Sequence, residues 1–492
     1  MPVLPQRSSA RLKGIKLDPE KNVESGSIPD TTSLVTSKVE RKARHEELNL
    51  RDMMGDTFEE GTMQDVRSTL FTGDAAANFS ECSSKTELEL LLQSMKLQRY
   101  SRVCQKRIYC MLFHPTQEKD LIFTGDQEGM VGVWDALASS SNEQEEPTST
   151  SSGTSYSLQV HGRCPIACLR MDPVNQQKLY SASYDGTVRE LDLAKCLSTE
   201  VWASPTDISL GEFDILTPLS YAAQATTIPS PLLCETNLWL SDHRGGLIHV
   251  DKRSNVSSRW QVSEAKIGGM SVNPDAYYCI ATASNDRHIR LFDTRMLKSL
   301  PVVDHPPSKF THDEVNHLSS VYEKIQLDSF GRKMACTAVD FSPDGRYLAG
   351  VSYDDSISLW HMDLSLQSKV TKSSSSTVRK RSSKLDSWLK LATHTGLLSN
   401  PNILQHNNQT GRWVTLFRAC WNKNAILEPH FSIGNMSRAA EIYDCNGRCL
   451  VQLYDPDWIT AVQAVTAMHP ITPARMATGN GSGRCAFWAP TH

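Results

Sequence analysis

Apolar and polar residues alternate through DLIFTGDQEGMVGVWD (120–135), two short runs on either side of a turn rich in Asp and Gly. Alternation beside turn formers is what half-buried antiparallel strands require. The pattern returns six times: KLYSASYDGTVRELD (178–192), NLWLSDHRGGLIHVD (237–251), CIATASNDRHIRLFD (279–293), YLAGVSYDDSISLWH (347–361), HFSIGNMSRAAEIYD (430–444) and RMATGNGSGRCAFWA (475–489). Five places after the last turn position stands a large apolar or aromatic residue: Trp134, Leu191, Val250, Phe292, Trp360, Tyr443 and Trp488. Successive copies lie about 40 to 80 residues apart, and the shorter intervals match a period of about 40–45 residues, one four-stranded unit.

Each copy is preceded by a further apolar run that ends in a turn: RIYCMLFHPTQ (107–117), PIACLRMDPVN (165–175), IGGMSVNPDA (267–276), ACTAVDFSPDG (335–345), GRWVTLFRACWN (411–422) and ITAVQAVTAMHP (459–470). For the third copy this strand falls somewhere in 210–235. The recurring His, Asp, Asn or Ser before Pro is turn chemistry, since proline presets φ and the short polar side chain bonds its own backbone. The expected fold class is therefore all-β, a seven-bladed propeller over residues 85–492. Trp488 lies four residues from the end, so the last blade lacks an outer strand, and KLQRYSRVCQK (96–106) is free to supply it. Closure of that kind leaves no exposed sheet edge.

Residues 1–84 read as a disordered, basic N-terminal extension with short helices. Ser, Pro, Lys and Arg dominate residues 1–35, with no apolar period. SKVERKARHEELNLRDMM (37–54) predicts an exposed helix, because its apolar content is thin. KTELELLLQSMKL (85–97) predicts a second helix with Leu88, Leu91, Leu92 and Met95 on one face, capped by Ser83 or Ser84. Loop insertions are expected at 138–157, 296–334 and 362–400, the first and last rich in Ser. Two basic clusters, PQRSSARLKG (5–14) and Arg379–Lys384, read either as solvated segments or as import and phosphate-contacting ones.

Composition removes several function classes. Thirteen cysteines occur without a C-x-x-C pair or a hydrophobic leader, which predicts reduced thiols in an intracellular protein and no zinc. No apolar run approaches about 18 residues, so no membrane span is expected. Motifs for a nucleophile elbow, a Walker loop or a zinc protease are missing, and GNGSGR (479–484) lies between strands as a hairpin turn. The chain is expected to be a binding protein without cofactor, not an enzyme.

Charge placement points to a partner. In a propeller, the loops entering the innermost strands and the turns between second and third strands converge on one face. Entry loops carry Arg107, Arg163, Lys266, Lys333 and Arg412, and middle turns carry Arg244, Arg287 and Arg438, although net charge is −4. His161, Tyr184, Tyr353 and Trp458 fall among them, groups able to stack on or wedge beside bases. This predicts a DNA-binding face made of Arg107, Arg163, Lys266, Arg287, Lys333, Arg412, Arg438, Tyr353 and Trp458. On the other face Asp-x-Arg occurs twice at equivalent places, Asp251 to Arg253 and Asp293 to Arg295. A local role at strand ends and a partner contact are both open for these.

The stretches 103–136, 178–193 and 411–444, with GRWVT-x-FRA in the last, resemble the DNA damage-binding WD-repeat proteins of the Cmr type. RSSARLKG near the N-terminus resembles that family's short basic motif. The resemblance covers roughly residues 85–490. It implies a nuclear WD-repeat protein of DNA metabolism that prefers damaged double-stranded DNA and works among chromatin proteins. It also implies that Arg253 and Arg295 dock on the propeller adaptor of a cullin-4 ubiquitin ligase. The related UV-damage subunit inserts an aromatic-containing hairpin into the lesion, and no counterpart of it is legible here. The alternative is a protein-interaction scaffold, a ligase substrate receptor whose face grips a protein degron.

Overall fold

The computed structural model describes residues 46–58, 62–70, 85–138, 153–206, 208–215, 237–254, 256–303, 325–362 and 396–491, with isolated positions between 306 and 321. These residues form seven antiparallel sheets, six of four strands and one of five. Their innermost strands are Ile108–Phe113, Ile166–Met171, Leu210–Ile215, Ile267–Val272, Cys336–Phe341, Cys420–Trp421 and Gln463–Met468. Each packs beside the next and the seventh beside the first, so the ring closes as a seven-bladed β-propeller. The third blade opens at Leu210–Ile215, the start of the expected interval.

Ring closure follows the sequence expectation. Met95–Arg102 pairs antiparallel with Arg484–Pro490 as the outer strand of blade 7. Helix Lys85–Gln93 buries Leu88 and Leu92 between blades 6 and 7, while Leu90 points outward. Six of the seven residues placed after the turns are buried. The seventh, Tyr443, is half-buried, stacked on Phe431 with its hydroxyl donating to Glu441.

The core is divided into seven apolar clusters, each between two adjacent blades. Phe113, Trp134 and Phe487 belong to the one joining blades 7 and 1, Tyr180, Trp202 and Phe213 to the one joining blades 2 and 3. Blade stability therefore comes from neighbours, as in repeat architectures generally.

The chain ahead of the ring departs from its sequence reading. Leu50 and Met53, in a helix spanning only Leu50–Met54, are each 1% exposed rather than solvated. With Val66 and Leu70 of helix Thr62–Leu70 they join the cluster between blades 1 and 2. Glu47–Leu48 pairs with Leu197–Ala203 as a fifth strand of blade 2. Four apolar side chains suffice to dock these short pieces, and a count of thin apolar content does not register them. The loop expected over 138–157 is shorter than that, since Thr154–Gln159 is the outer strand of blade 1. Residues 1–45, the helix cap at Ser83 or Ser84, and the basic cluster Arg379–Lys384 lie outside the described residues.

Candidate nucleic-acid interface

Strand alternation puts the blade-to-blade loops and the turns between second and third strands at one end of the ring. In these turns the last residue of the second strand is often an Asp or Asn whose side chain gathers backbone N–H groups. Asp126 Oδ1 accepts from Glu128 (2.8 Å) and Met130 (2.9 Å), and Asp242 Oδ1 from Arg244 (2.7 Å) and Gly246 (2.8 Å). The turn closes on a residue in the left-handed region. In four blades this is glycine, with φ of 81° at Gly129, 82° at Gly186, 79° at Gly245 and 78° at Gly483.

In the other three blades the position holds Arg287 (φ 74°), Asp355 (φ 59°) and Arg438 (φ 72°). Arg163, in the loop entering blade 2, is also left-handed at 49°. An L-residue there costs roughly 1–2 kcal/mol through the clash of Cβ with the following carbonyl. Among the described residues, three of the seven non-glycine residues with positive φ are thus arginines at one end of the ring, all among those chosen from the sequence.

Arg163, Arg287, Lys333, Arg412 and Arg438 are exposed, and none has an ion-pair partner among the described residues. Three acidic neighbours are already engaged. Asp185 bonds His161 and Thr187, Asp286 bonds Arg290 and Ser263, and Asp354 holds Arg332 at 2.9 Å. Burial raises the Asp286 carboxyl, but hydrogen bonds from His288 and Ser263 and the charge of Arg290 hold it well below the usual carboxylate range. Such carboxylates organise turns and offer little free charge to the surface.

Arg107 is half-buried and its Nη1 donates to the Arg412 carbonyl at 3.2 Å, so these two predicted residues are brought together. Lys266 is half-buried, its Nζ 5.1 Å from the Tyr184 ring centroid and 3.3 Å from the Tyr184 hydroxyl. Tyr184 in turn meets His243 at 4.4 Å and Tyr109 at 6.1 Å. Burial pushes the Lys266 amine down to about 8. Burial, with the Lys266 charge, pushes His243 down to about 3.

Other positions differ from the sequence reading. His161 is 2% exposed and bonded to Asp185, Thr187 and Ser181, a turn fastener that faces no ligand. Arg244 bends back to donate to the Pro306 carbonyl at 3.3 Å. Trp458 is 40% exposed, but two acidic residues accompany it in the chain: Asp455, whose carboxylate accepts its backbone N–H, and Asp457 next to it. Tyr353 is half-buried, and its carbonyl accepts from Gln409.

The residue that sequence reasoning passed over is Trp413. It is 74% exposed, the most exposed large apolar residue described, and the Arg412 guanidinium lies 5.3 Å from its ring centroid. GRWVTLFRACWN reads as a strand, yet only Cys420–Trp421 is one. The preceding residues form an arm fastened to blade 5 by Asn408 (to the Ser352 and Ser356 carbonyls) and to blade 1 by Thr415 (to the Ile108 carbonyl, 2.6 Å). Arg418, at its base, pairs with Glu212 of blade 3 inside the channel, a cavity of about 260 Å³. The run of polar residues HNNQTG (406–411) was the available signal for an arm.

At the opposite end, Arg253 is exposed and its N–H bonds Asp251 Oδ1 at 2.9 Å. Arg295 follows the third strand of the next blade and grips Asp293 through Nε (2.9 Å to Oδ1) and Nη2 (2.5 Å to Oδ2). Its guanidinium lies 4.0 Å from the Tyr278 ring centroid. The two Asp-x-Arg motifs are equivalent in place and different in engagement. Among the described residues no cluster of His, Cys, Asp or Glu is arranged to hold a metal ion, and no helix is long and apolar enough to cross a membrane.

Residues 326–361 match the family described as WD domain, G-beta repeat. The match runs from the outer strand of blade 4 through the third strand of blade 5, so the sequence repeat is offset from the blade by one strand. Over 99% of its length the chain is 40% identical to DNA damage-binding protein CMR1 of Mycosarcoma maydis, covering 90% of that protein. It is 29% identical to the protein of the same name from Cryptococcus neoformans, covering 88% of it, and 28% identical to that of Neurospora crassa, covering 87%.

Proposed function

Because this chain belongs to the DNA damage-binding WD-repeat family of the Cmr type, we propose that it binds double-stranded DNA, with preference for damaged duplex, on the loop end of the propeller. Arg107, Arg163, Lys266, Arg287, Lys333, Arg412 and Arg438 contact phosphates, and Tyr353 and Trp458 border the footprint. One observation carries this reading: arginines occupy strained left-handed positions at 163, 287 and 438, where glycine would sit without strain. Strain retained at a surface marks a site whose requirement is not stability. The protein acts as a binder in the nucleus, among chromatin proteins, and has no catalytic role.

The test is a titration of intact and lesion-bearing duplex across ionic strength. With 6–10 phosphate contacts, affinity falls roughly 10³–10⁵ between about 50 and 200 mM salt. Reversing Arg163 and Arg412 to Glu is expected to lower affinity for both duplexes and flatten the salt slope by about two or more. Unchanged affinity would overturn the reading in favour of a receptor that grips a protein degron.

A second reading concerns the opposite end, where Arg253 is exposed and Arg295 is held upright by Asp293 and Tyr278. These two arginines dock the propeller adaptor of a cullin-4 ubiquitin ligase, leaving the loop end for DNA.

A further inference from the structure

We infer that Trp413 is a stacking site for an unpaired nucleobase, held out from the loop end so that it enters a duplex where a base has left its stack. The inference rests on the DNA-binding reading above and adds to it the element that separates distorted from regular duplex.

Rigidity of the arm is the first argument. Its start is fixed by Asn408 to blade 5, and by Gln409, whose amide reaches the Tyr353 carbonyl and Asp355. Its tip is a tight turn in which the Val414 N–H bonds the Gly411 carbonyl at 3.0 Å. Arg107 holds the Arg412 carbonyl, Thr415 holds the Ile108 carbonyl, and Phe417 is 2% exposed. Gly481, in the middle turn of blade 7, lies so close that an added Cβ would sit 3.2 Å from the Trp413 carbonyl oxygen. The backbone on either side of Trp413 is fastened, while Trp413 itself is 74% exposed. Ordering a flexible aromatic on binding would cost affinity, and a preorganised one avoids that loss.

Surroundings select the ligand. Residues 406–419 contain no Asp or Glu and carry Arg412 and Arg418, with Arg107 against them. The Arg412 guanidinium lies 5.3 Å from the indole centroid, so the ring already stands beside a cation. A base has a π-face to stack on the indole, and Arg412 and Arg107 then lie beside the phosphates of the displaced nucleotide. Trp458 lacks this setting because Asp455 and Asp457 flank it. Aromatic wedges of this kind enter where unstacking is already partly complete, since a mismatched or damaged step resists least.

The test uses the full-length chain and two duplexes, one fully paired and one with a two-base mismatch carrying 2-aminopurine. Wild type is expected to bind the mismatched duplex more tightly and to quench its 2-aminopurine emission. Trp413→Ala is expected to lose roughly 5- to 150-fold on that duplex, the order of one base–aromatic stack, while paired-duplex affinity and salt slope stay unchanged. Trp413→Phe should retain most of the preference and quenching. An equal loss on both duplexes, or wild type that does not discriminate, would overturn the inference while DNA binding stands. Failure of wild type to bind either duplex would instead remove the DNA reading itself.

Discussion

At the end of the ring away from the entry loops, cations stand against carboxylates. Lys178 meets Glu190 at 2.8 Å, Lys423 meets Asp340 at 2.9 Å, Arg448 meets Glu89 at 2.8 Å and Arg475 meets Asp120 at 2.7 Å. Lys252 shares Glu190 and lies 4.4 Å from the Tyr180 ring centroid. At the loop end, Arg163, Arg287, Lys333, Arg412 and Arg438 are exposed without such partners among the described residues, while nearby carboxylates close turns. Net charge, −4 for the whole chain, hides this asymmetry. The pairs of the far end fasten strand ends and blade neighbours. At the loop end Lys106, Arg290 and Arg332 are paired as well, and the five exposed cations keep their charge available to a polyanion. A phosphate partner gains from the second arrangement because its counterions are released on contact.

The sharpest break of this comparison is at the paired end. Arg253 and Arg295 are both exposed there, and the Arg295 guanidinium is held by Asp293. Replacing both by Ala is expected to abolish co-purification with the cullin-4 adaptor while DNA affinity stays unchanged. Adaptor capture retained by the double variant would return both arginines to local service at strand ends. A loss of DNA affinity in the same variant would show that the two ends do not act separately.

A smaller effect follows from the strained turns. Arg287→Gly and Arg438→Gly place glycine where four other blades already have it. Each is expected to leave stability level or raise it, by up to about 1 kcal/mol after the entropy of glycine in the unfolded chain offsets part of the relieved strain. Each also removes one phosphate contact, so the salt slope should fall by about one. Thermal melts and binding titrations of the same preparations check both halves. A pair of variants that melt lower and bind as before would mean the arginines are there for the fold.

Much of the ring was legible because its signal is local. An Asp–Gly turn and an apolar residue five places on, as at Gly129 and Trp134, specify a hairpin without reference to the rest of the chain. The closing strand was legible from a deficit at the other terminus. Leu50, Met53, Val66 and Leu70 were not, since their burial depends on a groove between blades 1 and 2 that exists only in the assembled ring. In the interface, the loop positions of the arginines followed from strand order, but their pairing did not. His161 carried no sign that Asp185 and Ser181 would enclose it. Trp413 was hidden by a strand-like pattern, because alternation alone does not distinguish a strand from an arm fastened at both ends.

The smallest effect belongs to Lys266, the half-buried cation of the loop end, and its sign separates fold from function. Its amine titrates at about 8 in the folded chain, below the usual 10.5, because burial disfavours the charged form. Between those values the unfolded chain binds the proton and the folded chain does not, so stability contributed by this group rises with pH across the window and is lost as pH falls through 8. DNA affinity moves the other way, since only the protonated amine attracts phosphate. Titrations at pH 7 and 9 are expected to show wild type losing about one phosphate contact in salt slope, with Lys266→Met flat between the two. Melts of that variant should lose the rise in stability between pH 8 and 10.5. If wild-type affinity were the same at both pH values while the melts followed the expected rise, Lys266 would be a buried member of the Tyr184–His243 cluster that never meets DNA, and the footprint would be drawn by the exposed arginines alone.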